Sequence, residues 1–137
     1  MSKIEKFEDL EVWKESISLA TEIYSILKIC NDFSLKDQMQ RSVVSIASNI
    51  AEGFERNFNN EFIQFLYSAK ASCGELRTQL HIASNIDILR ITETERLVER
   101  TRKISAMLYK LIKTGKEKLI KIIIGFRSPL FGLRSPV

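Results

Sequence analysis

The chain has 137 residues, which suits one domain able to bury roughly two-thirds of its unfolded surface. With 45% apolar and 28% charged residues it has the composition of a globular protein, and no apolar run approaches the ~20 residues of a membrane span. The net charge is only +4 but unevenly placed: residues 1–34 hold four Lys against seven Asp and Glu, and residues 92–119 hold eight basic residues against four acidic. Basic charge gathered in the last third points toward nucleic acid as a partner.

The N-terminus, MSKIEKFEDL, is charged and has no apolar signal core, so the expected compartment is the cytoplasm. Cys30 and Cys73 sit among apolar helical residues and are read as reduced packing residues. There are five Gly and two Pro, both Pro beyond residue 125, so nothing breaks helices over the first 120 residues.

The first helix is expected from Asp9 to about Ile29. Its seam is Leu10, Trp13, Ile17, Ala20, Tyr24 and Leu27, recurring at steps of three and four. Glu8, Asp9 and Glu11 suit the positive end of its dipole. After a short link, the second helix spans Ser34 to Arg56, with Ser34 and Asp37 as an N-cap pair. Met39, Val43, Ile46, Ala47, Ile50 and Phe54 form its core face. Arg41, Ser45, Ser48, Asn49, Glu52 and Arg56 lie opposite. Small Ser and Asn between two arginines let another backbone approach, so this face is read as a contact surface.

Gly53 and the turn Arg56–Asn60 close the second helix and cap the third. The third spans about 60 to 85, with Phe62, Phe65, Leu66, Ala69, Cys73, Leu76, Leu80 and Ala83 on one face. Lys70, Arg77 and His81 form a flanking stripe. Gly74 in mid-helix costs about 1 kcal/mol relative to Ala, which predicts a close backbone approach there. Thr92 with Glu95 is a capping box for a fourth helix running to about Leu119. Its seam is Leu97, Ile104, Leu108, Leu111 and Ile112, and Arg96, Arg100, Lys103 and Lys110 line an adjoining face. Residues 120–137, apolar and basic with RSP twice, are expected to form a loosely held tail outside the 1–119 domain. Four amphipathic helices with short links predict an all-α, antiparallel up-down-up-down four-helix bundle.

A di-metal carboxylate centre in such a bundle needs Glu from two helices and Glu-x-x-His from two more. This chain has one histidine, His81, and no Glu-x-x-His, so neither a metal site nor another cofactor is expected. One histidine also supports no catalytic grouping, and no enzyme is expected. Glu52 and Glu75 are read as a structural polar pair, bonded to Arg41, Arg56 or Lys70.

Two functional readings follow. In the first, a homo-oligomeric bundle meets nucleic-acid phosphates through Arg41, Arg56, Lys70, Arg77, Arg96, Arg100, Lys103 and Lys110. The fourth-helix row spans about 21 Å, and no aromatic residue interleaves it. In the second, the chain is an oligomeric interaction scaffold for a protein partner, without nucleic-acid contact. In both, Ser45, Ser48, Asn49 and Gly74 are the expected oligomer contacts.

Phe7-Glu8-Asp9-Leu10 with Trp13, Gln38, Arg41, the run Ser45 to Arg56 (SIASNIAEGFER), Glu61 to Leu66, Ala69-Lys70, Ser72 and Glu75-Leu76 carry a resemblance. In these residues the chain resembles the four-helix-bundle family of 23S rRNA intervening-sequence proteins, over roughly residues 7 to 115. Members are encoded within insertions in bacterial large-subunit ribosomal RNA genes or elsewhere in the genome. They are similar to accessory variability proteins of diversity-generating retroelements, which form pentameric barrels whose basic surface binds nucleic acid and a reverse transcriptase. The resemblance therefore implies a pentamer. The chain departs from the pattern in lacking a proline before Leu35, with Gln64 for a usual arginine and Ala71 for a usual glycine.

Overall fold

The computed structural model describes residues 3–56 and 59–127. Four helices follow one another: α1 (Glu11–Ile26), α2 (Phe33–Arg56), α3 (Asn59–Asn85) and α4 (Ile91–Arg127), and no strand occurs among the described residues. Single 3-10 turns at Phe7–Asp9 and Leu27–Ile29 flank α1. Consecutive helices run antiparallel, with α2 against α3 and α3 against α4 the most extensive contacts; α1 closes the bundle against α2 and, more lightly, α4.

The links obey local chemistry. The Asp32 carboxylate accepts the Leu35 backbone N–H at 3.0 Å, so α2 is capped by Asp32 rather than Ser34 and starts one residue earlier than the sequence suggests. At the end of α3, Asp87 takes a left-handed φ of 63°, the Asp87 N–H bonds the Ser84 carbonyl and the Ile88 N–H bonds the Ala83 carbonyl. This is a Schellman closure, with Asp87 standing where glycine is usual.

The core is one cluster. Met39, Val43, Ile46 and Ile50 of α2 meet Leu66, Ala69, Cys73, Leu76 and Leu80 of α3 and Leu97, Ile104 and Leu108 of α4. On α1 the buried seam is Val12, Ser16, Leu19, Ile23 and Leu27, rolled away from the expected one: Ile17 and Tyr24 are 39% and 44% exposed. Ser16 makes the roll possible. Its hydroxyl donates to the Val12 carbonyl at 2.7 Å, so a small, internally satisfied polar residue enters the core where sequence reading favoured larger apolar ones.

Two glycines depart from their expected roles. Gly53 does not end α2; it is buried in the helix, and a Cβ there would lie 2.6 Å from the Phe65 Cβ, so it is the close-approach glycine of the α2–α3 contact. Gly74 has no such neighbour, since a Cβ there would meet only the Arg77 Nη2 at 4.0 Å. Near its far end, α4 passes the start of α3 at Gly115, where a Cβ would lie 3.2 Å from Ile63. The helix then continues without a break past Leu119, the expected end of the bundle domain, to Arg127. Ile120, Ile122, Ile123 and Ile124 on this overhang are all about half exposed. The rest of the expected tail, 128–137, and residues 57–58 of the expected turn lie outside the described residues.

Candidate nucleic-acid interface

The expected phosphate-binding row on α4 faces the acids of α1. Glu15, Ser18 and Glu22 share one side of α1 by helical spacing, and the roll of that helix turns this side toward α4. Glu22 accepts hydrogen bonds from both Arg96 and Arg100; Arg96 also pairs with Glu93. Arg100 donates to the Ser18 hydroxyl at 3.0 Å and lies 3.9 Å from Glu15, and Lys103 lies 3.6 Å from Glu15. The Arg96 hydrogen bond, reinforced by Arg100, holds the Glu22 carboxyl below its usual range, and Glu22 in turn raises the Arg96 guanidinium. Much of the row's charge is therefore matched within the bundle. Lys110, its last member, lies apart in a depression with Leu10, Glu11, Met107 and Leu111.

The α2 candidates also engage their own chain. Arg41 bonds Asp37 at 2.8 Å. Arg56 bonds Glu52 at 3.1 Å and Glu61 at 3.4 Å, with its guanidinium 5.3 Å from the Phe65 ring centroid. Glu75 accepts the Ser42 hydroxyl at 3.2 Å across the α2–α3 contact, so Glu52 and Glu75 have different partners and do not bond each other. Ser45 exchanges a 3.0 Å hydrogen bond with Ser72 of α3, and the Asn49 amide donates back to Ser45. Of this group only Ser48 is exposed; Ser45 and Asn49 are partly buried on α2, and Gly74 lies on α3. The four expected oligomer contacts are thus not one surface.

The structure assembles a different constellation between α3 and α4. Lys70, Arg77, Arg102, Ser105, Ala106 and Tyr109 line an open groove of about 550 Å³. Arg77 is steadied by donating to the Thr101 hydroxyl at 3.2 Å, and that hydroxyl donates to the Val98 carbonyl at 2.6 Å. Among the described residues neither Lys70 nor Arg77 enters an ion pair. Arg102 pairs with Glu99 at 2.6 Å on its own helix and is shared with an adjoining groove that holds His81, Glu95 and Glu99. Toward the other end, Lys116 of α4 donates to the Tyr67 hydroxyl of α3 at 2.7 Å.

Sequence reading found Lys70 and Arg77 but missed Arg102, Tyr109, Lys116 and Tyr67. A signal was present: Arg102, Tyr109 and Lys116 recur at seven residues on α4, as Lys70 and Arg77 do on α3. Two stripes of equal period on antiparallel neighbours are placed to face each other. Among the described residues no three His, Cys, Asp or Glu side chains converge as metal ligands, and no helix is long and apolar enough to cross a membrane. Cys73 is fully buried in the core, and burial pushes its thiol up to about 11.

This is an antiparallel four-helix bundle whose notable polar feature is a furrow on its outside rather than a chamber within. The chain belongs to the 23S rRNA-intervening sequence protein family, whose profile matches residues 8–110. A crystal structure of a protein of unknown function from the S23 ribosomal protein family of Bacteroides thetaiotaomicron is similar in fold. It has 24% identity and a TM-score of 0.70, with 74% of this chain and 98% of that one covered. No curated protein matches the chain.

Proposed function

We propose that this protein is a non-enzymatic, homo-oligomeric nucleic-acid-binding bundle of the cytoplasm, and that the α3–α4 groove is its contact surface. The observation that carries the reading is the pair Lys70 and Arg77, two cations without an acidic partner among the described residues, beside Arg102 and Tyr109 in one groove. Unpaired ammonium and guanidinium groups are the natural receivers of phosphates, and each neutralised phosphate releases counterions. The α4 row becomes secondary, because binding through Arg96 or Arg100 would have to displace Glu22 first. Support for a non-enzymatic role comes from composition: a single histidine, exposed, beside two glutamates at the edge of the groove.

A mobility-shift titration against structured RNA and duplex DNA tests the reading. Lys70→Glu with Arg77→Glu should abolish most binding, and the slope of log K against log salt should flatten by about one per lost phosphate contact. Unchanged affinity and slope would remove the groove from consideration.

The scaffold reading is favoured by a separate observation. Ile29, Phe33, Ile86 and Ile91 are 50–89% exposed near the two links at one end of the bundle, and the α4 overhang adds four half-exposed isoleucines at the other. Apolar surface of this kind suits subunit contacts, which serve either reading. The pentamer implied by the family resemblance is the assembly proposed.

A further inference from the structure

We infer that the α3–α4 groove takes single-stranded nucleic acid, with bases stacked on Tyr109 and Tyr67, in preference to duplex. The inference rests on the nucleic-acid reading above and specifies its ligand.

Tyr109 lines the groove and is 59% exposed. Tyr67 is 47% exposed. The Lys116 ammonium is 2.7 Å from its hydroxyl oxygen and 5.1 Å from its ring centroid. Those two distances place the ammonium off the hydroxyl edge of the ring, so it covers neither face. Lys116 lies two helical turns from Tyr109, a rise of about 10 Å along α4, and meets Tyr67 there.

Cations flank both rings: Lys70, Arg77 and Arg102 line the groove with Tyr109, and Lys116 meets Tyr67. On α4 the order is Arg102, Tyr109, Lys116, each about 10 Å from the next, and Lys70 with Arg77 repeats that interval on α3. Alternation of cation and aromatic ring is what a single strand requires: the backbone follows the charges while the unpaired bases turn onto the rings. A duplex has its base faces occupied by their neighbours. It can meet the same cations but gains nothing from the tyrosines.

Gly74 supplies an independent observation. A glycine inside a helix costs about 1 kcal/mol relative to alanine, and among the described residues a Cβ here would meet only the Arg77 Nη2, at 4.0 Å. Helical spacing puts it between Lys70 and Arg77, two residues that line the groove. The missing side chain leaves the groove wall low enough for a base or sugar to lie against helix backbone.

The test is fluorescence anisotropy with a labelled single-stranded RNA oligonucleotide, the DNA strand of the same sequence, and each annealed to its complement. Single strands should bind at least about tenfold more tightly than duplexes. Tyr109→Ala should weaken single-strand binding by roughly 5- to 150-fold with little change in salt slope, while Tyr109→Phe retains it. Tyr109 is a surface residue, so neither change disturbs the core. Equal affinity for strand and duplex, or indifference to Tyr109→Ala, overturns the inference. If Lys70→Glu with Arg77→Glu still weakens both forms alike, the groove reading survives that failure; if it does not, both fall.

Discussion

A single methyl group separates the two most informative glycines of this chain. At Gly53 an added Cβ would lie 2.6 Å from the Phe65 Cβ and 3.1 Å from the Phe62 ring, inside the contact that brings α2 and α3 together. Neither neighbour can retreat freely, because Phe62 also packs edge-on against Phe54 at 6.0 Å between centroids. Overpacking of about 1–3 kcal/mol outweighs the helix-propensity gain of about 1 kcal/mol. Gly53→Ala should therefore lower stability, by up to about 2 kcal/mol, in urea denaturation. Gly74→Ala meets open space and should raise stability by about 1 kcal/mol. If the low wall of the groove matters to its ligand, the same change should weaken nucleic-acid binding. A variant more stable and yet poorer at binding would separate the functional cost of that glycine from its structural cost.

At the scale of the helix, α1 owes much of its placement to the acids it presents to α4. Its contacts with the other helices are the lightest in the bundle, and Glu22 reaches across to two arginines while Glu15 lies near Arg100 and Lys103. The direction of the pH effect follows from the carboxylate. Hydrogen bonds from Arg96 and then Arg100 hold Glu22 below its ordinary value, so the folded state binds its proton less readily than the unfolded chain. Its contribution is complete above the unfolded value of about 4.3 and is lost as pH falls through the lower folded value. Glu22→Gln should cost about 1 kcal/mol at neutral pH, a modest figure because the site is partly solvated. The gap between wild type and variant should narrow as pH falls below the unfolded value, read from urea midpoints at each pH. A gap of constant size across that range would mean that the arginines act through packing alone.

For the whole molecule the open question is what covers its apolar surface. The α4 overhang places Ile120, Ile122, Ile123 and Ile124 beyond the point where Gly115 passes the start of α3, and no helix of the described bundle packs there. A second copy of the chain presents further exposed apolar side chains at the opposite end, around Ile29, Phe33, Ile86 and Ile91. Head-to-tail contacts of this type close into rings when the rotation between copies permits. Ile120→Lys with Ile123→Lys should then reduce the mass measured by light scattering while leaving the helical signal of the bundle intact. Ser48→Arg, on the outer side of α2, tests the contact surface read from the second helix. Wild-type protein that remains a monomer would remove both proposals.

Helix number, order and antiparallel packing were legible from residues alone, and so were most of the buried faces of α2, α3 and α4. The reason is that amphipathic periodicity is local and redundant: each of these helices repeats its apolar interval several times, so one ambiguous position does not alter the reading. The chain's family was legible for a related reason, in the run Ser45 to Arg56. The roll of α1 was not, because small Ser16 competes with larger Ile17 for the core, and a shift of one residue turns a helix by about 100°. That roll decides which acids meet Arg96, Arg100 and Lys103, and so whether these are open cations or matched ones. Tertiary structure likewise decided that Gly53 is crowded and Gly74 open. It also set Lys70, Arg77, Arg102 and Tyr109, from two helices, around one groove. A side chain's type is written in its own position, but its partner is chosen by how the neighbouring helix is turned.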